Sequence, residues 1–156
     1  MTPDLNRLQS LIAHSEALVP SVSAWSVGQH VHHCLLGTRE IALALAQSQP
    51  GAQRPTFSLL RWVVLRMRWI PRGRGQSPDS VLPDPHIARE TLAHLAVEAA
   101  QAVQRARETS PDSWWRHFAF GVMNRDAALR FIAIHNDHHG KIARDILRAA
   151  KARVAP

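Results

Sequence analysis

Asn124-Arg125-Asp126-Ala127-Ala128-Leu129-Arg130-Phe131-Ile132-Ala133-Ile134-His135-Asn136-Asp137-His138-His139-Gly140-Lys141-Ile142-Ala143-Arg144-Asp145-Ile146 has the spacing of one long amphipathic helix. Ala128, Phe131, Ile132, His135, His139, Ile142 and Ile146 recur at intervals that keep them on one side of a 3.6-residue turn. Asn124 is a favourable N-cap, and Asp126 in the first turn suits the positive end of the helix dipole. The pattern predicts a helix to about Lys151. A single apolar face of that length must be covered by other helices.

Three more patterns supply the cover. The first starts at Thr2, with Pro3 just inside, and runs to about Leu18 with Leu5, Leu8, Leu11 and Ile12 on one side. The second opens at Ser26, whose partner Gln29 three residues on completes a capping-box pattern. Its stripe is Val27, Val31, Cys34, Leu35, Ile41 and Leu45, and it ends before Pro50-Gly51. The third starts at Asp84-Pro85 and reaches about Thr109 through Ala88, Leu92, Leu95, Ala96, Ala99 and Val103. These four patterns predict an all-α protein, an antiparallel four-helix bundle forming a single domain over residues 1–156.

Two connections are longer than ordinary bundle loops. Residues 51–83 form a basic helical and loop insertion between helices 2 and 3: a helix over Phe57–Ile70, then the breaking run Pro71-Arg72-Gly73-Arg74-Gly75. A strand is the alternative there, because Trp62-Val63-Val64-Leu65 has high β preference. Residues 110–123 read as an aromatic connector holding Trp114, Trp115, His117, Phe118 and Phe120.

Composition narrows the class. The 156 residues are 46% hydrophobic and 20% charged, which excludes a disordered tail or a collagen-like rod. Arg or His interrupts every apolar stretch before the roughly 18 residues a spanning helix needs. Asp4 and Asn6 stand where an export signal would be basic and then apolar, and the lone Cys34 suits a reducing compartment, so the expectation is a cytoplasmic protein. The net charge is +7, yet no acid lies between Glu40 and Asp79, where Arg54, Arg61, Arg66, Arg68, Arg72 and Arg74 all fall. The rest of the chain is nearly neutral, which excludes a globally basic surface for nucleic acid.

Histidine is the residue type that carries chemistry here. His135 and His139 are i and i+4 on a helix, with Cβ atoms about 5–6 Å apart, close enough to hold one metal ion. They share the stripe of Ile132, Ile142 and Ile146, so both should point inward. The spacing alone equally fits two core histidines satisfied by polar neighbours. Asn136 occupies the place where the zinc-protease helix needs Glu, so that chemistry is excluded. A third ligand must come from elsewhere, and Gln29-His30-Val31-His32-His33 offers either His30 or His33. His32 falls on the opposite side, where solvent is expected.

Trp25-Ser26-Val27-Gly28-Gln29, with His33 eight residues after the Trp, resembles the second-helix signature of the DinB/YfiT-like superfamily, Trp-Ser-x-x-Glu/Gln-x-x-x-His. His135-x-x-x-His139 resembles that superfamily's second metal motif. Pro71-Arg72-Gly73 and His117-Phe118-Ala119-Phe120-Gly121 resemble a branch known only as a domain of unknown function. The resemblance implies a four-helix bundle, often dimeric, with one divalent metal on three histidines. By position these are His33, His135 and His139. Two departures stand out: Lys141 where many members have Gln, and Cys34 where Leu is common.

The resemblance also implies thiol-dependent transferases, isomerases and hydrolases as reaction types, with a low-molecular-weight thiol as cofactor and a small-molecule substrate. Zinc, nickel, iron and manganese all accept imidazole. Without tyrosine, His117, Glu40 and Asp137 are the candidates for moving a proton, and the last two also for orienting ligand rings. Arg72 and Arg74 are candidates for binding an anionic substrate. The competing reading is a non-catalytic module whose basic, Trp-containing 54–74 segment meets a membrane surface, a partner protein or nucleic acid. Five tryptophans and this segment are much apolar surface for a small bundle to cover, so a homodimer is expected.

Overall fold

The computed structural model describes residues 2–73 and 77–154. The chain is mostly helical: α1 spans Pro3–Leu11, α2 Val27–Gln47, α3 Leu59–Met67, α4 Arg89–Glu108 and α5 Arg125–Val154. Two short antiparallel strands, β1 over Trp114–His117 and β2 over Gly121–Asn124, stand between α4 and α5, with Trp115 opposite Met123. This hairpin corrects the all-α expectation for the aromatic connector. Trp and Val favour strand on its two arms, and Gly121, at φ 71°, supplies the left-handed residue that closes a three-residue turn.

α2 is the central helix, packed against both α4 and α5, while α1 touches all three. α1 stops at Leu11, short of the expected Leu18, and tightens into a 3-10 turn over Ile12–His14. The segment that follows meets the start of α2: the free N–H groups of Val27 and Gly28 donate to the carbonyls of Ala17 (2.9 Å) and Ser15 (2.8 Å). The capping box closes the same end, with Gln29 N–H on Ser26 Oγ and Ser26 N–H on Gln29 Oε1. α4 likewise starts at Arg89, later than Asp84, because residue 84 is tied to α2: its N–H donates to His32 Nδ1 and its carbonyl accepts from Gln29 Nε2.

Leu5, Leu8, Val31, Leu35, Leu45, Leu92 and Ile146 fill the space between these helices. Ala96, Ala99, Ala102 and Ala106 keep the buried side of α4 small. A buried polar group pins three helices together: Asn136 Nδ2 on α5 donates to Asp4 Oδ2 on α1 (2.8 Å) and lies 3.1 Å from Thr38 Oγ1 on α2. Asn124 Oδ1 accepts the Ala127 N–H and so caps α5, as its sequence predicts.

The 54–73 segment is helical over α3 and contains no strand. Only Val64 of α3 is fully buried. Arg61 turns inward and donates to the carbonyls of Thr56, Phe120 and Val122, fastening α3 to the hairpin. Trp62 and Trp69 are 56% and 60% exposed, with Phe57, Leu59, Leu60 and Met67 also in solvent. Among the described residues, no helix is long and apolar enough to cross a membrane.

A Cβ at Gly28 would lie 3.0 Å from both the Cβ and the carbonyl oxygen of Ser15. Gly28→Ala should therefore lower the urea midpoint by about 1–3 kcal/mol of stability, despite the roughly 1 kcal/mol helix preference of Ala over Gly. Gly37→Ala, whose Cβ meets nothing within 4 Å, is the control and should be neutral or stabilising.

Candidate metal centre

The inward faces of α2 and α5 bring imidazoles together. Among the described residues, one group of potential ligands converges: His33, His135 and His139 each offer an atom, and these lie within 4.8 Å of one another. His33 Nε2 is 3.1 Å from His135 Nε2. The opposite nitrogen, His33 Nδ1, is 2.7 Å from the carbonyl of Val81, in a 3-10 turn over Asp79–Val81. A carbonyl only accepts, so Nδ1 carries the proton and Nε2 of the neutral ring presents a bare lone pair to the cluster. The Trp25 indole packs against the His33 and His30 rings and stacks on His139, with centroids 5.2, 5.4 and 6.2 Å apart.

Burial decides the charge of these rings. It holds His135 down to about 3 and His30 to about 4, with neighbouring imidazoles adding to the effect. His139 is held well below the usual imidazole range by burial and then by His135, and His33 is lowered by burial as well. At neutral pH all four are uncharged, the form that ligates metals. Three neutral imidazole nitrogens fit a divalent ion of intermediate softness.

The remaining candidates lie as follows. His30 is buried, with Nδ1 2.9 Å from His139 Nδ1, but it is not a member of the converging group. His32 is buried too, correcting the expectation of a solvent-facing ring, because residues 81–84 fold over that side of α2. His117 is held by the hairpin: its Nδ1 accepts the N–H groups of Ala119 and Phe120, and its ring stacks on Phe118 and Phe120. Glu40 accepts from Ser80 Oγ, and Asp137 pairs with Lys141 at 2.9 Å, so both carboxylates have partners away from the ligand rings. Arg72 pairs with Asp145 at 2.6 Å, and its charge adds to the lowering of His138 and, least of the causes, of His30. Arg74 lies outside the described residues. Cys34 is fully buried and its thiol is pushed well up, which makes it a core residue.

Two contributors have little signature in the sequence. The Val81 carbonyl is backbone, and no side-chain pattern marks it. Asn136 serves the α1–α2–α5 contact from inside the His135–His139 motif, and its i+1 place after the first histidine turns it about 100° away.

A family model described as the DinB superfamily matches residues 5–143 of the chain. No curated protein and no solved structure matches it.

The lowered imidazoles set an acid limit on stability. Between 6.5 and the folded values the unfolded chain binds more protons than the folded one, so stability falls as pH drops through that window. His30 alone, lowered from 6.5 to about 4, contributes on the order of 3 kcal/mol across it. Urea unfolding of the metal-free protein should show a falling midpoint from neutral pH to about pH 5, and a flat profile would contradict the assignment of these rings as neutral.

Proposed function

Because the chain belongs to the DinB superfamily, we propose that it binds one divalent metal ion through His33, His135 and His139. The convergence of three neutral imidazoles within 4.8 Å carries this reading. His33, His135 and His139 would hold such an ion with a coordination position left for a water, a thiol or a substrate oxygen, and the ion would supply Lewis acidity there. The reading that follows is a metal-dependent transferase, isomerase or hydrolase acting on a small molecule, with a low-molecular-weight thiol as the cosubstrate and zinc, nickel, iron or manganese as the ion. In this reading residues 1–156 form a single domain, an antiparallel four-helix bundle with a basic insertion at residues 51–83, and the buried lone thiol of Cys34 suits the cytoplasm.

The chain's own residues have separable tasks. Val81 fixes which nitrogen of His33 faces the site. Trp25 covers one side of the cluster and keeps water from its rings. Arg72, half-exposed and paired with Asp145 on α5, would attract an anionic substrate, which would take the place of Asp145 on its guanidinium.

Metal analysis of untagged protein should find one ion per chain. The double variant His135→Ala/His139→Ala should retain almost none, whereas His94→Ala, on the exposed side of α4, should retain it all. Unchanged stoichiometry in the double variant would end this reading.

The exposed apolar surface of Phe57, Leu59, Leu60, Trp62, Met67 and Trp69 favours a homodimer through the α3 face. Light scattering should report a dimer, and Trp62→Glu should shift it to monomer. A wild-type monomer at every concentration would count against it and leave this surface to the alternative, a binding face for another partner.

A further inference from the structure

His30 is the fourth imidazole of the core, one turn before His33 on α2, and both of its nitrogens are engaged. Nδ1 lies 2.9 Å from His139 Nδ1, and Nε2 lies 2.9 Å from Ser23 Oγ. The ring is only 4% exposed, so water does not compete for either position. Ser23 Oγ also accepts the Trp25 N–H at 3.1 Å, which holds the serine in place and leaves it one lone pair and its own proton.

A row of neutral groups joined this way has two proton arrangements. In one, His139 donates from Nδ1 to His30 Nδ1, and His30 donates from Nε2 to Ser23 Oγ. His139 Nε2 is then a bare lone pair. In the other, Ser23 donates to His30 Nε2 and His30 donates from Nδ1 to His139 Nδ1. His139 then keeps its proton on Nε2, and neither of its nitrogens is free to bind a cation. Only the first arrangement makes His139 a ligand.

We propose that His30, backed by Ser23, is a positioning residue that accepts the Nδ1 proton of His139 and so holds it in the form that ligates through Nε2. This rests on the metal-site reading above and assigns His30 a part other than ligand. The Val81 carbonyl performs the same service for His33, so two ligand rings are oriented by two different devices, one backbone and one side chain. Hydrogen-bond partners of this kind change metal affinity by about 10–100-fold.

Cobalt(II) titration of the metal-free, untagged chain, followed by its visible absorption and by chelator competition, tests this. His30→Phe keeps a ring and removes the acceptor; it should bind cobalt about 10–100-fold more weakly, still at one ion per chain and with the wild-type spectrum. His30→Asn places an amide oxygen where Nδ1 stood and should recover most of the affinity. Ser23→Ala, at a half-buried position, should weaken binding several-fold and carries the test if His30→Phe does not fold. Wild-type affinity in both His30→Phe and Ser23→Ala would overturn the inference alone. A His30→Phe spectrum showing one ligand fewer would also overturn it, since His30 would then be a ligand itself. A wild-type chain that takes up no cobalt would overturn the metal-site reading and this inference with it.

Discussion

Four imidazoles from two helices cluster together, and two of them, His30 and His33, are buried, so both nitrogens of each must find a partner away from water. An unmet nitrogen costs about 1–3 kcal/mol, so the arrangement persists only where neighbours answer each ring. His33 is answered by the Val81 carbonyl and His135, and His30 by Ser23 and His139. These partners come from three separate places in the chain: the 3-10 turn at Asp79–Val81, the turn before α2, and α5. The loops around the cluster are therefore fixed by it as much as the helices are.

The N-terminal end of α2 is where these demands meet. Its first free N–H groups go to carbonyls at Ser15 and Ala17, its cap to Ser26 and Gln29, and the Gln29 amide onward to Asp84. Trp25, immediately before the cap, lies on the imidazoles. One helix start thus holds the segment after α1, the strap before α4 and the indole that covers the cluster. At Gly28 the helix start lies so close to Ser15 that a methyl group would meet its Cβ and carbonyl oxygen at 3.0 Å.

The helical stripes were readable because burial on one face leaves a period that side chains record. Asn124 and the Ser26–Gln29 pair were readable because a cap is a side-chain event; the i,i+4 spacing put His135 and His139 on the inward stripe, whereas periodicity left His30 and His33 open and only the family resemblance pointed to His33. Reading failed where backbone or distant chain decided the outcome. The late start of α4 comes from N–H and carbonyl groups bonded across the fold, which no local propensity reports. The burial of His32 comes from a segment about fifty residues away. The hairpin had a local signal, β-preferring residues on both sides of a Phe-Gly turn, but the aromatic content suggested an irregular loop. In α3 the Arg61 guanidinium turns inward to carbonyls while the indole of Trp62, like that of Trp69 just beyond, stays out, a division set by the hairpin rather than by the local pattern.

The carbonyl that orients His33 belongs to the main chain, and every residue type possesses one. Position 81 is therefore free to drift among side chains of similar bulk while the ring it governs keeps the same face to the cluster. Ser23 and His30 have no such latitude, since their work is done by atoms that substitution removes. Of the two rings proposed as neighbouring ligands, His33 is supported by shape that mutation seldom reaches. His139 depends on two particular side chains, and along lines of descent it is the one where the proposed centre can be retuned or lost in a single step.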